Sequence, residues 1–345
     1  MPSASSYVLP TGYLILVTGA NGYIGSHVVE EALKLGYRVR GVVRSPAKLG
    51  NLRKRWEDRF PGKFEVAVVS DLQKEGAFDE AMKGVDAVAH IAAVSGDFTT
   101  DVAAATATVT NIELRALEAA ADTPSVKRFV LTSSSLAAYL PQPDVEVEIG
   151  QESYNEASKE LAKQEGPIQA FAVYMASKTN GEQAAWAWVK EHKPAFEFKT
   201  VLPDFNVGTI LDPEHQEAST AGWLLSLWNR EPNQFVSNVN GQNYIAVTDT
   251  ALLHLGALLL PSIVNQRIFG CAGSINVNEF LRVLKEIDPE RMKDVKEFEG
   301  KNGKDLARYD TKGAEEILRE LKKGEGWKGL EEAVRETVES MQKKA

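Results

Sequence analysis

Two residues one helical turn apart, Tyr174 and Lys178, have the types and spacing to move a proton. A free phenol ionises at a pH of about 10 and is sluggish as an acid or base near neutrality. On a helix, positions four apart share a face. The run Tyr174-Met175-Ala176-Ser177-Lys178 therefore sets an ammonium beside a phenol. That charge favours the phenolate and suits the group to general acid–base work. The same spacing also fits a packed tyrosine with a snorkelling lysine stem. Upstream, Thr132-Ser133-Ser134-Ser135 offers hydroxyls that could hold a substrate oxygen against the phenol. Such a turn can equally cap the start of a helix.

A third set consists of the glycines in Thr18-Gly19-Ala20-Asn21-Gly22-Tyr23-Ile24-Gly25. They follow the apolar run 14–17 and precede helical spacing over 26–35, and strand, glycine turn and helix in that order are the context of a dinucleotide fingerprint. Gly19 permits the tight turn, Gly22 lets backbone approach a pyrophosphate, and Gly25 lets the helix pack close to the sheet. Free N–H groups and the helix dipole then meet the phosphates. Thr18, Gly19, Asn21, Gly22, Tyr23, Ile24 and Gly25 are the candidate contacts. The second strand ends Val42-Val43-Arg44-Ser45, with Lys48 a turn further on and no acid among them. An acid there would take the 2′-hydroxyl of NAD, whereas an arginine accommodates the 2′-phosphate of NADP. Arg44, with a fork that grips phosphate, and Lys48, a point charge, favour NADP or NADPH.

These groups need a scaffold that brings strand ends together. Apolar strand patterns over 37–43, 64–69, 85–91, 126–132 and 196–202 alternate with helical patterns over 47–60, 77–83, 101–121 and 171–190. This rhythm predicts an α/β fold, a Rossmann-type doubly wound parallel sheet with helices on both faces. Residues 1–200, with a core of about 12–203, are assigned to the nucleotide-binding domain. Residues 204–345 are assigned mainly to a smaller, interleaved α/β substrate domain. Its pattern is looser, with helices over 222–228, 250–260 and 277–285 and short strands near 244–247 and 267–270. The acidic stretch 141–167 reads as a surface excursion with some helix, and 313–343 as a charged helical cap.

Composition excludes several classes. The chain of 345 residues is 43% hydrophobic and 25% charged, with a net charge of −9. An acidic chain is a poor match for nucleic acid or an anionic membrane. The basic knot Arg53-Lys54-Arg55 is followed by Glu57 and Asp58 and reads as a solvated helix face. One cysteine, Cys271, permits no internal disulfide and no cysteine metal cluster, and the histidines lack paired metal spacing, so no metal is expected. The start has no secretory pattern, and the longest apolar run, 251–260, is too short to span a bilayer. The expected setting is cytoplasmic.

In order along the chain, Thr18-Gly19 through Gly25, His90-Ile91-Ala92-Ala93, Thr132-Ser133-Ser134 and Tyr174 through Lys178 resemble the extended short-chain dehydrogenases/reductases. Further stretches, including Val39-Arg40-Gly41-Val42-Val43-Arg44-Ser45 and Leu202-Pro203-Asp204-Phe205-Asn206-Val207-Gly208, resemble the dihydroflavonol-reductase-like group and its fungal aldehyde and ketone (carbonyl) reductases. The resemblance implies that Tyr174 is the proton donor, Lys178 its activator and a ribose contact, and Ser134 the carbonyl-binding hydroxyl, with Ser133 in reserve. It places Asn111 in a proton relay, although Leu114 stands where relatives carry glycine. It also implies adenine contacts at Asp71 and Leu72, and walls for the ribose and nicotinamide at Ala92 and Pro203. A substrate pocket is expected from 95–99, Leu136, Phe205, Asn206 and Trp223, with Trp223 as an apolar wall or as core. The implied activity is broad NADPH-dependent reduction of small aldehydes and ketones, by a monomer or homodimer. An NAD-dependent sugar-nucleotide epimerase or dehydratase, and an NADP-binding sensor without turnover, are the alternatives.

Overall fold

A computed structural model describes residues 7–93, 99–166 and 168–342. Its strands are β1 (Leu14–Thr18), β2 (Arg38–Val43), β3 (Phe64–Val68), β4 (Ala87–His90), β5 (Arg128–Thr132), β6 (Glu146–Ile149), β7 (Glu197–Pro203), β8 (Phe205–Val207), β9 (Asn240–Ala246), β10 (Arg267–Gly270), β11 (Gly273–Asn276) and β12 (Leu306–Tyr309). Helices are named below by their residues.

All five residues of β1 are buried. A strand with no polar face must be covered on both sides, and alternate side chains go to opposite cores. Ile15 and Val17 join one apolar cluster with Val39, Val130 and residues of the helix Val247–Leu259. Leu14 and Leu16 join another with Val88, Phe129 and Phe198. Seven strands run in the order β10–β7–β5–β4–β1–β2–β3, and each neighbouring pair is parallel. The expected doubly wound sheet is therefore present. The strand order reverses between β1 and β4, which opens a crevice at their carboxyl ends.

The seventh strand, β10, comes from the C-terminal half and pairs with β7. Its local pattern reads as a strand, but its place at the edge of the first sheet is a long-range fact. The remaining apolar strands form a smaller sheet, β11–β9–β8, under the helices Ser219–Trp228, Val277–Ile287 and Leu330–Gln342. Two further differences from the sequence reading stand out. The excursion 141–167 contains β6, which pairs in parallel with β12. The tail forms two helices, Lys312–Leu321 and Leu330–Gln342, and each inserts an apolar stripe into a core, through Ile317 and Leu318 in one and Val334 and Val338 in the other.

Two helices, Val102–Ala121 and Gln169–His192, lie side by side on one face of the large sheet. On the other, the helix Leu52–Arg59 is tied to the helix Tyr23–Lys34 through Glu30. That buried carboxylate receives Trp56 Nε1 at 3.0 Å and Arg55 at 3.2 Å, and also pairs with Arg59. Arg53 and Lys54 pair with Glu57 and Asp58 along the solvent face as expected, whereas Arg55 turns inward.

Candidate active site

The turn after β1 is shaped by contacts that only glycine allows. Gly19 has φ +65°, and a Cβ there would lie 3.1 Å from Ala92 Cα at the end of β4. A Cβ on Gly25 would lie 2.1 Å from Gly19 O, so any larger residue would push the helix Tyr23–Lys34 off the turn. Gly22 caps that helix with extended backbone and no side-chain bond. The first helical N–H groups have no partner within the helix, which makes this cradle a fit for a diphosphate.

Side chains of the turn serve other ends. Tyr23 is buried, its hydroxyl donates to Gly208 O at 2.9 Å, and burial holds it well above the usual phenol range. Asn21 and Ile24 are half-buried. Thr18 Oγ1 accepts the N–H groups of Ile91 and Ala92 at 2.9 Å, so its own hydrogen goes to His90 Nδ1 at 3.1 Å. Thr18 thus welds β1 to the end of β4. Gln216, which no local pattern marks, brings its amide to Asn21 O (3.1 Å), Gly22 O (3.2 Å) and Ser26 Oγ (2.9 Å). His27 adds a bond from Nε2 to Thr209 O at 2.7 Å, and burial holds this imidazole down to about 4. The segment 208–216 therefore clasps the glycine turn.

At the end of β2, Arg44 and Lys48 are exposed, and neither has a hydrogen bond or ion pair from its side chain among the described residues. Two free cations and no acid fit a 2′-phosphate. Asp71 is exposed and accepts Gln73 N–H at 3.0 Å, and Leu72 is half-buried. Ala92 touches Gly19, and Pro203 ends β7 beside Gly270. The segment 212–215 brings ligand atoms of Asp212, Glu214 and His215 within 4.8 Å of one another. Asp212 already accepts Asn51 N–H at 2.7 Å and lies 3.0 Å from His215 Nδ1.

The second corner lies at the end of β5. Ser133 Oγ donates to Glu182 Oε2 at 2.8 Å, so its proton is committed. Glu182 also receives Thr200 Oγ1 at 2.7 Å and the Arg267 guanidinium at 2.9 and 3.0 Å. Ser134 Oγ instead accepts Leu136 N–H at 3.2 Å, at the start of a short turn over Ser135–Ala137. Its own O–H has no acceptor among the described residues. The two serines, alike in sequence, thus differ in what they can still donate.

Tyr174 is half-buried on the helix Gln169–His192, stacked on Phe171 with centroids 6.2 Å apart. Lys178 follows one turn on, about 6 Å along the axis, and is buried. Its Nζ donates to Thr132 O at 3.0 Å and to Glu113 Oε1 at 3.4 Å. Burial pushes Glu113 up to about 7, against the pull of Lys178 and with a push from Glu182. Behind Thr132, the hydroxyl lies 2.7 Å from His254 Nε2, whose Nδ1 lies 2.8 Å from Thr250 O. Burial holds His254 down to about 4 and, with the Lys178 charge adding, His90 down to about 3.

Asn111 is exposed on the helix Val102–Ala121, and the residue which that helix turns toward Lys178 is Glu113. Of the expected pocket, Leu136 is buried at the corner. Phe205 is buried in the second core beside Phe280, and Trp223 stacks on Phe235 at 4.7 Å with its edge to Phe205. Asn206 accepts Thr250 Oγ1 at 2.6 Å and donates to Asp204 O at 3.0 Å. Residues 95–98, also expected there, lie outside the described residues.

Residues 15–258 match the model of the NAD dependent epimerase/dehydratase family. The chain is 44% identical to Aldehyde reductase 2 of Sporidiobolus salmonicolor over 344 residues, covering 99% of each chain. It is 38% identical to Ketoreductase adrE of Penicillium rubens over 299 residues, covering 85% of this chain and 86% of the other. Its fold matches that of yeast methylglyoxal/isovaleraldehyde reductase Gre2 complexed with NADPH, with a TM-score of 0.82, 26% identity, and coverage of 96% of this chain and 98% of that one. The chain belongs to the NAD dependent epimerase/dehydratase family, the extended branch of the short-chain dehydrogenases/reductases that its glycine, serine and tyrosine motifs resemble.

Proposed function

We propose that this protein reduces small aldehydes and ketones to alcohols with NADPH, over a broad substrate range. The observation that carries the reading is the corner itself. Ser134 has a proton left to donate, and Tyr174 stands one turn from a lysine held in place on two sides. The aldehyde reductase and ketoreductase relatives and the NADPH-bound Gre2 fold support it.

NADPH, when bound, supplies the hydride that reaches the carbonyl carbon. The N–H groups after Gly22 would hold its diphosphate, Arg44 and Lys48 its 2′-phosphate, and Lys178 its nicotinamide ribose. Ser134 Oγ–H holds the carbonyl oxygen. Tyr174 Oη delivers its proton to that oxygen as negative charge develops there. Lys178 Nζ balances the phenolate that remains, a charge preset for the moment of reaction. The first lobe is the nucleotide platform, and the second closes over the substrate through the 208–216 clasp.

The test is a matched pair. Wild-type protein should consume NADPH with an aryl ketone or an aldehyde and yield the alcohol. Tyr174→Phe should bind NADPH and turn over at least ~10²-fold more slowly, the scale of a lost general acid. Full turnover by Tyr174→Phe would overturn the assignment.

A further inference from the structure

The Glu113 carboxylate has no part in the reaction as written above, yet the fold goes out of its way to keep it. Glu113 and Lys178 are each 4% exposed, and they meet between two helices that an apolar pair would join at least as well. Burying an ion pair is costly in desolvation, so it is weak evidence for a purely stabilising role. The neighbouring helix also yields to it. Gly181 lies in mid-helix, where glycine is disfavoured. A Cβ there would lie 2.7 Å from Glu113 Oε2 and 2.8 Å from Val109 Cγ1, so the glycine makes the room that the carboxylate fills.

The bonding of Lys178 gives this a direction. An ammonium has three donors. One goes to Thr132 O and one to Glu113 Oε1, which leaves the third facing away from both. Charged groups around the carboxylate come from two elements. Lys178 and Glu182 face it from the helix Gln169–His192, and His90 approaches Lys178 from β4. Glu182 is already occupied by Arg267, Ser133 and Thr200, and His90 is held neutral by burial. Glu113 is thus the one described carboxylate in contact with Lys178.

We infer that Glu113 is a positioning residue for the reduction: its carboxylate fixes the Lys178 ammonium behind Tyr174 and supplies its counter-charge. The inference rests on the roles proposed above for Tyr174 and Lys178. Because burial pushes Glu113 up to about 7, the counter-charge is present above neutrality and is lost on acidification.

The experiment compares kcat and KM of wild type, Glu113→Gln, Glu113→Asp and Tyr174→Phe from pH 5.5 to 8.5, with NADPH and one aryl ketone. Glu113→Gln keeps the shape and removes the charge. Its kcat should fall about tenfold at pH 8 with the ketone KM within about twofold, and the deficit should shrink toward unity below pH 6, where wild type is itself protonated. Glu113→Asp keeps the charge but shortens its reach. It should retain the pH dependence with a kcat a few-fold low. Wild-type kcat in both variants, or a Glu113→Gln deficit equal at every pH, would overturn the inference, since packing alone has no such pH dependence. If Glu113→Gln does not fold, wild-type kcat in Glu113→Asp overturns it alone. Tyr174→Phe separates the two claims. Its full activity sinks the reading of the site, whereas its inactivity beside an unaffected Glu113 series sinks only the role of Glu113.

Discussion

The glycine turn after β1 and the serine–tyrosine corner after β5 open on the same end of the sheet but are made of opposite materials. The turn works with backbone. Its side chains, Thr18 and Tyr23, are spent holding β4 and Gly208, and what it offers a ligand is N–H groups and a helix end. The corner works with side chains, each wired by buried partners from other elements: Ser133 by Glu182, Thr132 by His254, Lys178 by Glu113. The difference teaches where each region should break. The turn should fail by steric intrusion, the corner by loss of a single polar atom.

The largest expected effect lies in the turn. Gly25→Ala puts a methyl group 2.1 Å from a carbonyl oxygen and should cost NADPH affinity ~10²-fold or more, whereas Gly22→Ala, at 3.2 Å, should cost less than ~10-fold. Binding titrations on the two variants check this, and equal losses would show that the turn is not limited by backbone contact. Next come the serines. Ser134→Ala should lower kcat by ~10²-fold, with a stability loss of ~1 kcal/mol for the lost cap on Leu136 N–H. Ser133→Ala should leave kcat within a few-fold but destabilise the fold by ~1–2 kcal/mol, because Glu182 loses a buried donor. Steady-state rates separate the two. If Ser133→Ala alone lost rate, the corner is wired the other way.

A smaller effect belongs to the cofactor end of β2. Arg44→Ala should raise the KM for NADPH about tenfold and leave that for NADH unchanged, the loss of one exposed phosphate contact. Equal rises for both cofactors would remove Arg44 from 2′-phosphate recognition. The smallest and most diffuse is pH. His27, His90 and His254 are held to about 4, 3 and 4, so the unfolded chain takes up their protons first, and their contribution is lost as pH falls below 6.5. Glu113 and Asp204 are raised to about 7, so theirs is present in acid and lost as pH rises toward 7. Three groups oppose two. The imidazoles outnumber the carboxyls, and stability should drop as pH falls from 6.5 to 4.5. Melting curves across that window test the sign. Greater stability at pH 4.5 than at 6.5 would reverse it.

The same contrast explains what could be read in the sequence. The glycine turn was legible because its demands are local: strand, turn and helix lie within 14–35, and each glycine answers a contact inside that stretch or with Ala92. Tyr174 and Lys178 were legible because four-residue spacing on a helix is also local. The wiring was not. Glu113, Glu182, His254 and Gln216 meet their partners across 49 to 195 residues of chain, or from 18 residues within another element, and no periodicity records such meetings. Asn111 and Glu113 show the limit well. Two residues apart on a helix means about 200° of rotation, so only one can face Lys178. The β6–β12 pair stayed hidden because its strands are only four residues long and partly exposed: Glu146-Val147-Glu148-Ile149 alternates, but too briefly to stand out in an acidic stretch, and Leu306-Ala307-Arg308-Tyr309 does not alternate.

The task proposed for the corner is carbonyl reduction with the cofactor that Arg44 and Lys48 select. The direct measurement is the rate of NADPH consumption, with NADH in parallel, against an aryl ketone, a β-keto ester, an aliphatic aldehyde and a dihydroflavonol. Several of these should be turned over, at least tenfold faster with NADPH. A protein that consumed neither cofactor with any of them, or that purified with tightly held NAD and turned over only sugar nucleotides, would contradict it.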